Sequence, residues 1–304
     1  MRDAMMQGLF KLAACDKNVI LITADLGYGV FEEFSSNYPD QYINVGVAEQ
    51  NMLGVASGLA LEGKIIYAYS IGNFPTLRCL EQIRNDACYH NLNINIISMG
   101  GGFSYGGLGM SHHATEDISI MRAIPGITVI APCNSWEAEN AVIELSRSDG
   151  VGYLRIDKTK VEDVNNDNKY KIGKANILRN GVDVAIIATG GIVIEALRAA
   201  EFLAEKDVEC MVISMHTVKP IDISVIISAC EKTQFIVTLE ENTIMGGLGS
   251  AISEVIIDNN LRPGKVVRMG LKDRFVSTVG SQDFLRNKAG LSSADIVELI
   301  QSEL

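Results

Sequence analysis

The sequence predicts an α/β protein made of two doubly wound α/β domains. Helix-like and strand-like patterns alternate along the 304 residues, which favours parallel sheets with helices on both faces. The chain is long enough for two domains of ordinary size, each with its own core. Nearly half of the residues are apolar and 28 are glycine, a composition that suits tightly packed α/β units.

In the first half of the chain, predicted strands alternate with predicted helices. Helices are expected at the N-terminus, from about Glu49, and over about 76–90. Strands are expected over 18–24, 42–45, 64–69 and 93–99. Ligands of open α/β sheets bind beyond the carboxyl ends of the strands, so Asp25, Glu49, Phe74 and the glycines at 100–102 fall where chemistry is expected.

A polar stretch at 158–175, rich in Asn, Asp and Lys, predicts the crossing between two domains. We therefore expect domains at 1–160 and 178–304, joined by a linker at 161–177. In the second domain, strands are predicted at 183–188, 209–214 and 235–240, with a tight turn at 189–191 and a helix at 193–205.

Composition limits the classes of function. The formal net charge is −11 and no Lys/Arg cluster occurs, which makes a nucleic-acid or anionic-membrane binder a poor candidate. The six cysteines are scattered without a Cys-x-x-Cys pair, as expected of reduced thiols in a cytoplasmic protein. The sequence has neither a signal-peptide pattern nor an apolar run long enough to span a membrane. The four histidines lack metal-ligand spacing, so we assign no metal site to the chain itself.

The segment 44–53 places one carboxylate, Glu49, at a turn from a strand into a helix. The segment reads Asn-Val-Gly-Val-Ala-Glu-Gln-Asn-Met-Leu, so small and apolar residues surround the carboxylate. A poorly solvated carboxylate can share a proton with a nitrogen heterocycle instead of only carrying charge. The alternative is a solvated glutamate stabilised by the helix dipole, and this segment alone leaves both open.

A glycine-rich run at 98–113 ends in two histidines, His112 and His113. Its six glycines allow sharp turns and a close approach of the backbone to a ligand. The run lacks the Gly-Lys-Ser/Thr ending of a phosphate-binding loop and the acidic residue of a dinucleotide site. Neutral imidazoles can donate, accept and relay protons near neutral pH, which favours a functional loop over a flexible surface loop.

Two further residues fit both a functional and a structural role. Phe74 precedes the helix that carries Arg78, and it could stack on a flat heterocycle or serve as a hydrophobic staple. Arg155 ends a predicted strand, and it could grip a phosphate or carboxylate or form an ion pair with Asp157. These alternatives stay open on the residues alone.

Taken in order, the motifs resemble one family of enzymes. The first half resembles the pyrimidine-binding domain of transketolases, shared in outline with deoxyxylulose phosphate synthase and pyruvate dehydrogenase β subunits. The similar motifs are Asp25, Gly-Val-Ala-Glu-Gln-Asn-Met around Glu49, Phe74, the glycine loop that ends in His112, and Pro-Gly-Ile-Thr-Val-Ile-Ala-Pro at 125–132. The second half, with Gly-Gly-Leu-Gly-Ser at 246–250, resembles the transketolase C-terminal domain. The resemblance covers essentially the whole chain.

The resemblance implies a thiamine diphosphate enzyme that transfers a two-carbon ketol unit between sugars. Glu49 would act as a catalytic residue that hydrogen-bonds the pyrimidine nitrogen of the cofactor and favours its imino tautomer. The implied cofactor-binding residues are Asp25, Glu49, Phe74 and Arg78. The implied substrate-binding residues are Arg2, His112, His113 and Arg155, and His112 is also implied to be catalytic.

One part of such an enzyme is missing from the sequence. Thiamine diphosphate enzymes bind the diphosphate and its Mg²⁺ or Ca²⁺ through a domain with a Gly-Asp-Gly segment, and none occurs in the 304 residues. An acidic chain cannot by itself neutralise two phosphates with their metal. We therefore expect a split enzyme in which a separate N-terminal subunit supplies the diphosphate site. Two copies of each chain would form an α2β2 heterotetramer.

The sequence also departs from transketolases at two positions. Leu108 stands where transketolases have an aspartate, and Gly100 stands where they have a histidine. Both changes remove polar groups that would contact substrate hydroxyls, so a modified sugar or a less hydroxylated donor becomes plausible.

Two rival functions remain at this stage. One is the β subunit of a 2-oxo acid dehydrogenase, or a pyruvate-using acyloin or deoxyxylulose-type synthase. The other is a non-catalytic subunit that only assembles or regulates a partner. The second is disfavoured because such a subunit has no physical need for a desolvated carboxylate at Glu49.

Overall fold

The computed structural model describes residues 1–158, 160–162 and 169–304, which fold around two β-sheets. The strands are β1 (Val19–Thr23), β2 (Tyr42–Asn44), β3 (Ile65–Ile71), β4 (Ile94–Met99), β5 (Ile127–Ile130), β6 (Val151–Ile156), β7 (Asn176–Arg179), β8 (Val184–Thr189), β9 (Cys210–Ser214), β10 (Thr217–Lys219), β11 (Phe235–Thr243) and β12 (Lys265–Leu271). The helices are α1 (Arg2–Cys15), α2 (Glu32–Asn37), α3 (Glu49–Leu61), α4 (Leu80–Gln82), α5 (Asp117–Ala123), α6 (Ser135–Ser146), α7 (Val193–Ala204), α8 (Ile223–Lys232), α9 (Leu248–Asp258), α10 (Gln282–Ala289) and α11 (Ser293–Glu303).

The first sheet has the strand order β10-β5-β6-β4-β3-β1-β2. Its strands pair in parallel, except that β10 runs antiparallel to β5. Because β2, β1, β3 and β4 are parallel neighbours, their carboxyl ends meet at one edge of the sheet. The segments that follow these strands carry Glu49, Asp25, Phe74 and His112.

Both faces of the first sheet are buried. Along β1, Ile20 and Ile22 pack into one apolar cluster, whereas Val19 and Leu21 pack into another. Helix α3 covers the first cluster, and α1 and α6 cover the second. A strand that is apolar on both faces is typical of a parallel sheet between two layers of helices.

The second sheet repeats this arrangement with the order β12-β11-β8-β9-β7. Its strands pair in parallel, except that β7 runs antiparallel to β9. Along β8, Val184 and Ile186 face one apolar cluster, and Ala185 and Ile187 face another. The two sheets with their helices confirm the predicted α/β class with two doubly wound units.

The region of the predicted linker is only partly covered by the structure. Residues 163–168, which belong to the predicted linker 161–177, lie outside the described residues. Strand β7 begins at Asn176, inside that predicted linker, because Asn176 pairs with Ser214 of β9. Strand β10 also departs from a simple division of the chain, because it follows β9 and yet joins the first sheet.

The helix predicted over 76–90 is broken in the structure. A 3-10 segment at Leu77–Cys79 leads into the short α4, and a π-helical segment follows at Ile83–Cys88. The buried side chains in this region are Cys79, Ile83 and Ala87, each four residues apart. The single continuous helix predicted here is therefore replaced by short segments with three different hydrogen-bond patterns.

Buried polar side chains join the two sheets. Asp157, just after β6, accepts a 2.7 Å hydrogen bond from the Gly191 backbone beyond β8. Glu241 of β11 accepts from the Phe103 backbone at 2.5 Å and from Arg286 Nε at 2.5 Å. These contacts fix the glycine loop of the first sheet against the second sheet.

Three observations describe the chemical character of the chain. Among the residues that the structure describes, no helix combines the length and apolarity needed to cross a membrane. Its cysteines are free thiols. The described residues also contain no group of three or more His, Cys, Asp or Glu side chains arranged to hold a metal ion.

Candidate active site

Glu49 is the first residue of α3 and is almost fully buried. Strand β2 ends at Asn44, five residues before Glu49 in the sequence. The Glu49 side chain is buried, since the residue is only 5% exposed. Both of its carboxylate oxygens accept hydrogen bonds from Nη1 of Arg78 at 3.1 Å. The solvated glutamate considered as an alternative is therefore not what the structure shows.

Phe74 lies beside this ion pair, in the segment that follows β3. The Arg78 guanidinium stands 4.2 Å from the centre of the Phe74 ring, so one arginine contacts both the ring and the Glu49 carboxylate. The Cys79 thiol lies 3.5 Å from the Phe74 carbonyl oxygen. Burial, followed by the nearby Glu49 charge, raises the pKa of Cys79 to about 12. The thiol is therefore neutral at physiological pH and contributes packing, as expected of a reduced, buried cysteine.

Asp25 is held at the end of β1 by Asn44. Its backbone has a positive φ of 56°, a conformation that non-glycine residues rarely adopt. The Asn44 amide stabilises it, because Asn44 Oδ1 accepts from the Asp25 and Gly46 backbones at 3.0 Å and Asn44 Nδ2 donates to Asp25 Oδ1 at 3.2 Å. Strained backbone of this kind is concentrated at functional sites. Sequence reasoning identified Asp25 but not the asparagine that positions it.

The glycine loop brings His112, but not His113, next to Phe74. The rings of His112 and Phe74 meet edge to face with centres 5.2 Å apart. Ser111 Oγ lies 3.1 Å from His112 Nδ1. His113 is buried within the loop, where its Nε2 lies 3.4 Å from the Gly106 carbonyl oxygen. His113 also lines a cavity of about 550 Å³ that extends toward residues 271–276.

Arg155 lies in the buried network between the sheets. Its guanidinium donates to Asp117 at 3.3 Å, to Asp157 at 3.2 Å and to the Glu241 carbonyl oxygen at 3.0 Å. The residue is only 2% exposed, because two aspartates from its own half of the chain enclose it. We therefore correct the role expected from the sequence: Arg155 joins the two sheets and is not carried forward as a substrate ligand.

Arg2 is exposed at the start of α1 and forms an ion pair with Asp3. Burial raises the pKa of the Tyr69 and Tyr105 phenols. The positive charge of Arg2 opposes this rise in both. The Arg2 charge therefore acts electrostatically on Tyr105 of the glycine loop, a residue that sequence reasoning had not singled out. The rings of Tyr105 and His112 have centres 6.5 Å apart.

Comparison with known proteins shows the family to which the chain belongs. Residues 1–163 match the family model of the transketolase pyrimidine binding domain, and residues 173–296 match that of the transketolase C-terminal domain. The chain belongs to the transketolase family. The resemblance drawn from the motifs is thereby confirmed.

Members of the transketolase family that resemble this chain include separate subunits. The chain is 38% identical to a protein of Methanocaldococcus jannaschii assigned as a transketolase C-terminal section, over 100% of this chain and 96% of that protein. It is 38% identical to a 6-deoxy-6-sulfo-D-fructose transketolase subunit of Clostridium sp. strain MSTE9, over 98% of this chain and 92% of that protein. A solved structure described as a split gene transketolase in an inactive β4 tetramer has 32% identity and a TM-score of 0.87, over 99% of this chain and 96% of the other.

Proposed function

We propose that this chain is the pyrimidine-binding subunit of a split, thiamine diphosphate-dependent transketolase. The enzyme breaks the bond between C2 and C3 of a ketose and joins the two-carbon ketol unit to the carbonyl carbon of an aldose. The observation that carries the proposal is the buried Glu49 carboxylate, held by Arg78 beside the Phe74 ring at the carboxyl edge of the sheet.

The residues at this edge fit the pyrimidine half of the cofactor. Glu49 offers a buried carboxylate that can accept a hydrogen bond from a protonated ring nitrogen, and Phe74 offers an aromatic surface for a flat ring. Arg78 orients the carboxylate, and Asp25 lies at the end of the neighbouring strand. When bound, thiamine diphosphate supplies an electron sink for the cleavage of a carbon–carbon bond next to a carbonyl. Within this set, the Glu49 carboxylate would accept the hydrogen bond of the protonated pyrimidine nitrogen.

The diphosphate half of the cofactor would be held by a different polypeptide. The sequence contains no Gly-Asp-Gly segment, and its net charge of −11 is unsuited to two phosphates. We therefore assign the diphosphate and its Mg²⁺ or Ca²⁺ to a separate N-terminal subunit. A cytoplasmic location, expected from the cysteine pattern, stays a prediction.

The surface around Glu49 supports the expectation of a partner. Val47 and Leu77, which flank the site in sequence, are 75% and 48% exposed. Gly54 and Gly58 lie on the exposed side of α3, where an added Cβ would meet no atom of this chain. Glycine in a helix costs about 1 kcal/mol relative to alanine, and a closely packed partner backbone would explain that cost. An α2β2 heterotetramer would cover this face in two symmetric copies.

His112 is the residue of the glycine loop that we assign to substrate contact and proton transfer, since its ring lies next to Phe74. Arg2 remains our candidate for the charged end of a sugar, because it is exposed and its charge acts on the phenol of Tyr105, whose ring lies near that of His112. His113 is buried within the glycine loop, and its contact with the Gly106 carbonyl oxygen would stabilise the conformation of that loop.

Co-expression with a diphosphate-binding transketolase subunit tests the proposal. We expect native mass spectrometry to show two copies of each chain and the complex to consume hydroxypyruvate with an aldose, releasing CO2 and forming a ketose two carbons longer. The chain alone, supplied with thiamine diphosphate and Mg²⁺, should be inactive. Pyruvate consumption with lipoyl acylation would instead support a 2-oxo acid dehydrogenase subunit, and activity of the chain alone would contradict the split arrangement.

A further inference from the structure

Asn73 connects the segment that carries Phe74 to the glycine loop that carries His112. It directly precedes Phe74, two residues after β3 ends. Its side-chain Nδ2 donates a 2.5 Å hydrogen bond to the carbonyl oxygen of His113. The two backbones are close at this point, because a Cβ on Gly72 would lie 3.3 Å from the His112 carbonyl oxygen. One amide therefore joins the backbones that carry the neighbouring rings of Phe74 and His112.

The backbone around Asn73 is itself fixed to the first sheet. The Gly72 N–H donates to the Met99 carbonyl oxygen at 2.8 Å, and the Gly72 carbonyl oxygen accepts from Ser98 Oγ at 2.9 Å. The Asn73 carbonyl oxygen accepts from the Leu77 N–H at 2.9 Å. The Asn73 side chain therefore reaches the glycine loop from a backbone that is held at both sides.

The glycine loop depends on contacts of this kind to keep one conformation. Gly100, Gly102 and Gly109 have φ values of +94°, +57° and +79°, and glycine loses more conformational freedom on folding than any other residue. Two backbone hydrogen bonds of 2.7 and 3.0 Å between Gly102 and Ala114 close the base of the loop. The bond from Asn73 falls one residue before Ala114, and so it fixes the end of the loop that bears the histidines.

We propose that Asn73 is a positioning residue of the transfer reaction, because its hydrogen bond to the His113 backbone keeps the His112 ring beside the Phe74 ring. The inference rests on the proposed function, since Asn73 acts through the substrate contact assigned there to His112. A displacement of about 1 Å in a reacting group can cost about 10²-fold in rate, so one hydrogen bond to the backbone is enough to affect catalysis.

The experiment uses the complex of this chain with its diphosphate-binding partner, thiamine diphosphate and Mg²⁺. Hydroxypyruvate is the donor, and D-glyceraldehyde 3-phosphate is the probe acceptor. For Asn73→Ala we expect kcat/KM for the acceptor to fall by about 10- to 100-fold. Asn73→Asp has nearly the same shape but offers no N–H group, and it should lower kcat/KM at least as much, because its carboxylate would face the His113 carbonyl oxygen.

A double-mutant cycle with His112 separates positioning from general damage. In the His112→Ala background, Asn73→Ala should lower kcat/KM by less than about twofold, because the ring that Asn73 positions is absent. An equal fall in both backgrounds would show that Asn73 acts independently of His112, and the proposed role would be wrong.

Asn93→Ala is the matched control. Asn93 Nδ2 also donates to a backbone carbonyl oxygen, that of Ser146 at 3.2 Å, but it does so just before β4 begins. This variant should keep kcat/KM within about twofold of wild type.

Hydrogen exchange of the same complexes, followed by mass spectrometry, gives a measurement that does not depend on activity. The peptide that covers residues 104–113 should exchange faster in Asn73→Ala than in wild type, and Asn93→Ala should leave it unchanged. Unchanged exchange of this peptide in Asn73→Ala would mean that Asn73 does not hold the loop.

Two negative outcomes have different meanings. If the wild-type complex does not consume hydroxypyruvate, the proposed function itself is wrong, and the catalytic role of Asn73 is wrong with it. If the wild-type complex is active and Asn73→Ala keeps normal kcat/KM, only the role of Asn73 is overturned.

Discussion

Glu49 and Arg78 form an ion pair with an unusual geometry. A single guanidinium nitrogen donates to both carboxylate oxygens, instead of two nitrogens forming parallel bonds. The arginine side chain is half exposed while the carboxylate is buried. A pyrimidine nitrogen of the cofactor would therefore hydrogen-bond one carboxylate oxygen while Arg78 still donates to the other. The Glu49 charge would then stay compensated by Arg78.

Replacement of Glu49 by glutamine is expected to lower kcat of the assembled complex by about 10²- to 10⁴-fold, the range for loss of a positioned acid–base group. The amide has nearly the same shape, so assembly with the partner should be retained. The measurements are hydroxypyruvate turnover and native mass spectrometry of the same preparation.

Glu62→Gln is a suitable control for this variant, since Glu62 is an exposed residue at the other end of α3. It should keep full activity. Retention of normal kcat in Glu49→Gln, with assembly intact, would remove the chemical basis of the proposed function.

The residues of the site differ in how far the sequence could predict them. Asp25, Glu49 and Phe74 each follow a strand, and the predicted alternation of strands and helices placed them at one edge, whereas His112 was singled out by its position at the end of the glycine-rich run. The role of Arg155 could not be predicted in this way, because it depends on Asp117, 38 residues earlier, and on Glu241, 86 residues later. Contacts with residues so far away in the sequence leave no pattern around Arg155 from which its burial could be predicted.

At the level of elements, α9 begins on a buried carboxylate. Glu240 of β11 accepts hydrogen bonds from the Leu248 and Gly249 backbones at 2.8 and 2.9 Å, and Asn242 Nδ2 lies 3.3 Å from its Oε2. Burial raises the pKa of Glu240 to about 7, although these hydrogen bonds oppose the rise. The stability of the start of α9 is therefore expected to depend on pH, because its first backbone N–H groups donate to this buried carboxyl group.

The free energy of unfolding should fall as the pH rises from about 4.5 to 7 through the contribution of Glu240. In this window the folded state holds a proton that the unfolded state has released, so deprotonation favours unfolding. The contribution is about 3 kcal/mol at most by the standard conversion of a pKa difference. Chemical denaturation of wild type and Glu240→Gln between pH 5 and 8 measures it, because the glutamine variant lacks this titration.

The difference in unfolding free energy between wild type and Glu240→Gln should thus change with pH, whereas Glu231→Gln, at an exposed position of α8, should give a constant difference. Parallel pH curves for wild type and Glu240→Gln would show that Glu240 is not protonated in the folded state.

Eight strands of the described sheets were predicted from the sequence, whereas β5, β7 and β12 were not, and neither was β10. It has only three residues, and it is fixed by pairing with β5, which lies far away in the sequence. Lys219 adds to this contact by donating to the Arg122 and Ile124 carbonyl oxygens at the end of α5. Such a strand is defined by its tertiary contacts and leaves no local pattern.

On the scale of the whole molecule, the two sheets are joined through buried charges as well as apolar packing. Arg155 compensates Asp117 and Asp157, and all three are almost inaccessible to water. Burial raises the pKa of Asp117, and the Arg155 charge opposes that rise. Removal of the arginine would leave two carboxylates buried without their cation.

Arg155→Met should therefore lower the free energy of unfolding by about 3–5 kcal/mol, the usual cost of breaking a buried ion pair from one side. Denaturant unfolding of the isolated chain is the measurement. Arg147→Met removes an exposed arginine that pairs with Glu144 on α6, and it should cost less than about 1 kcal/mol. Equal effects of the two substitutions would mean that the buried network does not hold the sheets together.

The uncovered Val47 and Leu77 beside Glu49 have a consequence for how a cell produces this protein. Every molecule made in excess of the partner subunit leaves these two apolar side chains exposed to water, where they favour self-association of the chain. Synthesis of the two polypeptides is then expected to be kept in step, because catalytic output follows whichever of them is scarcer.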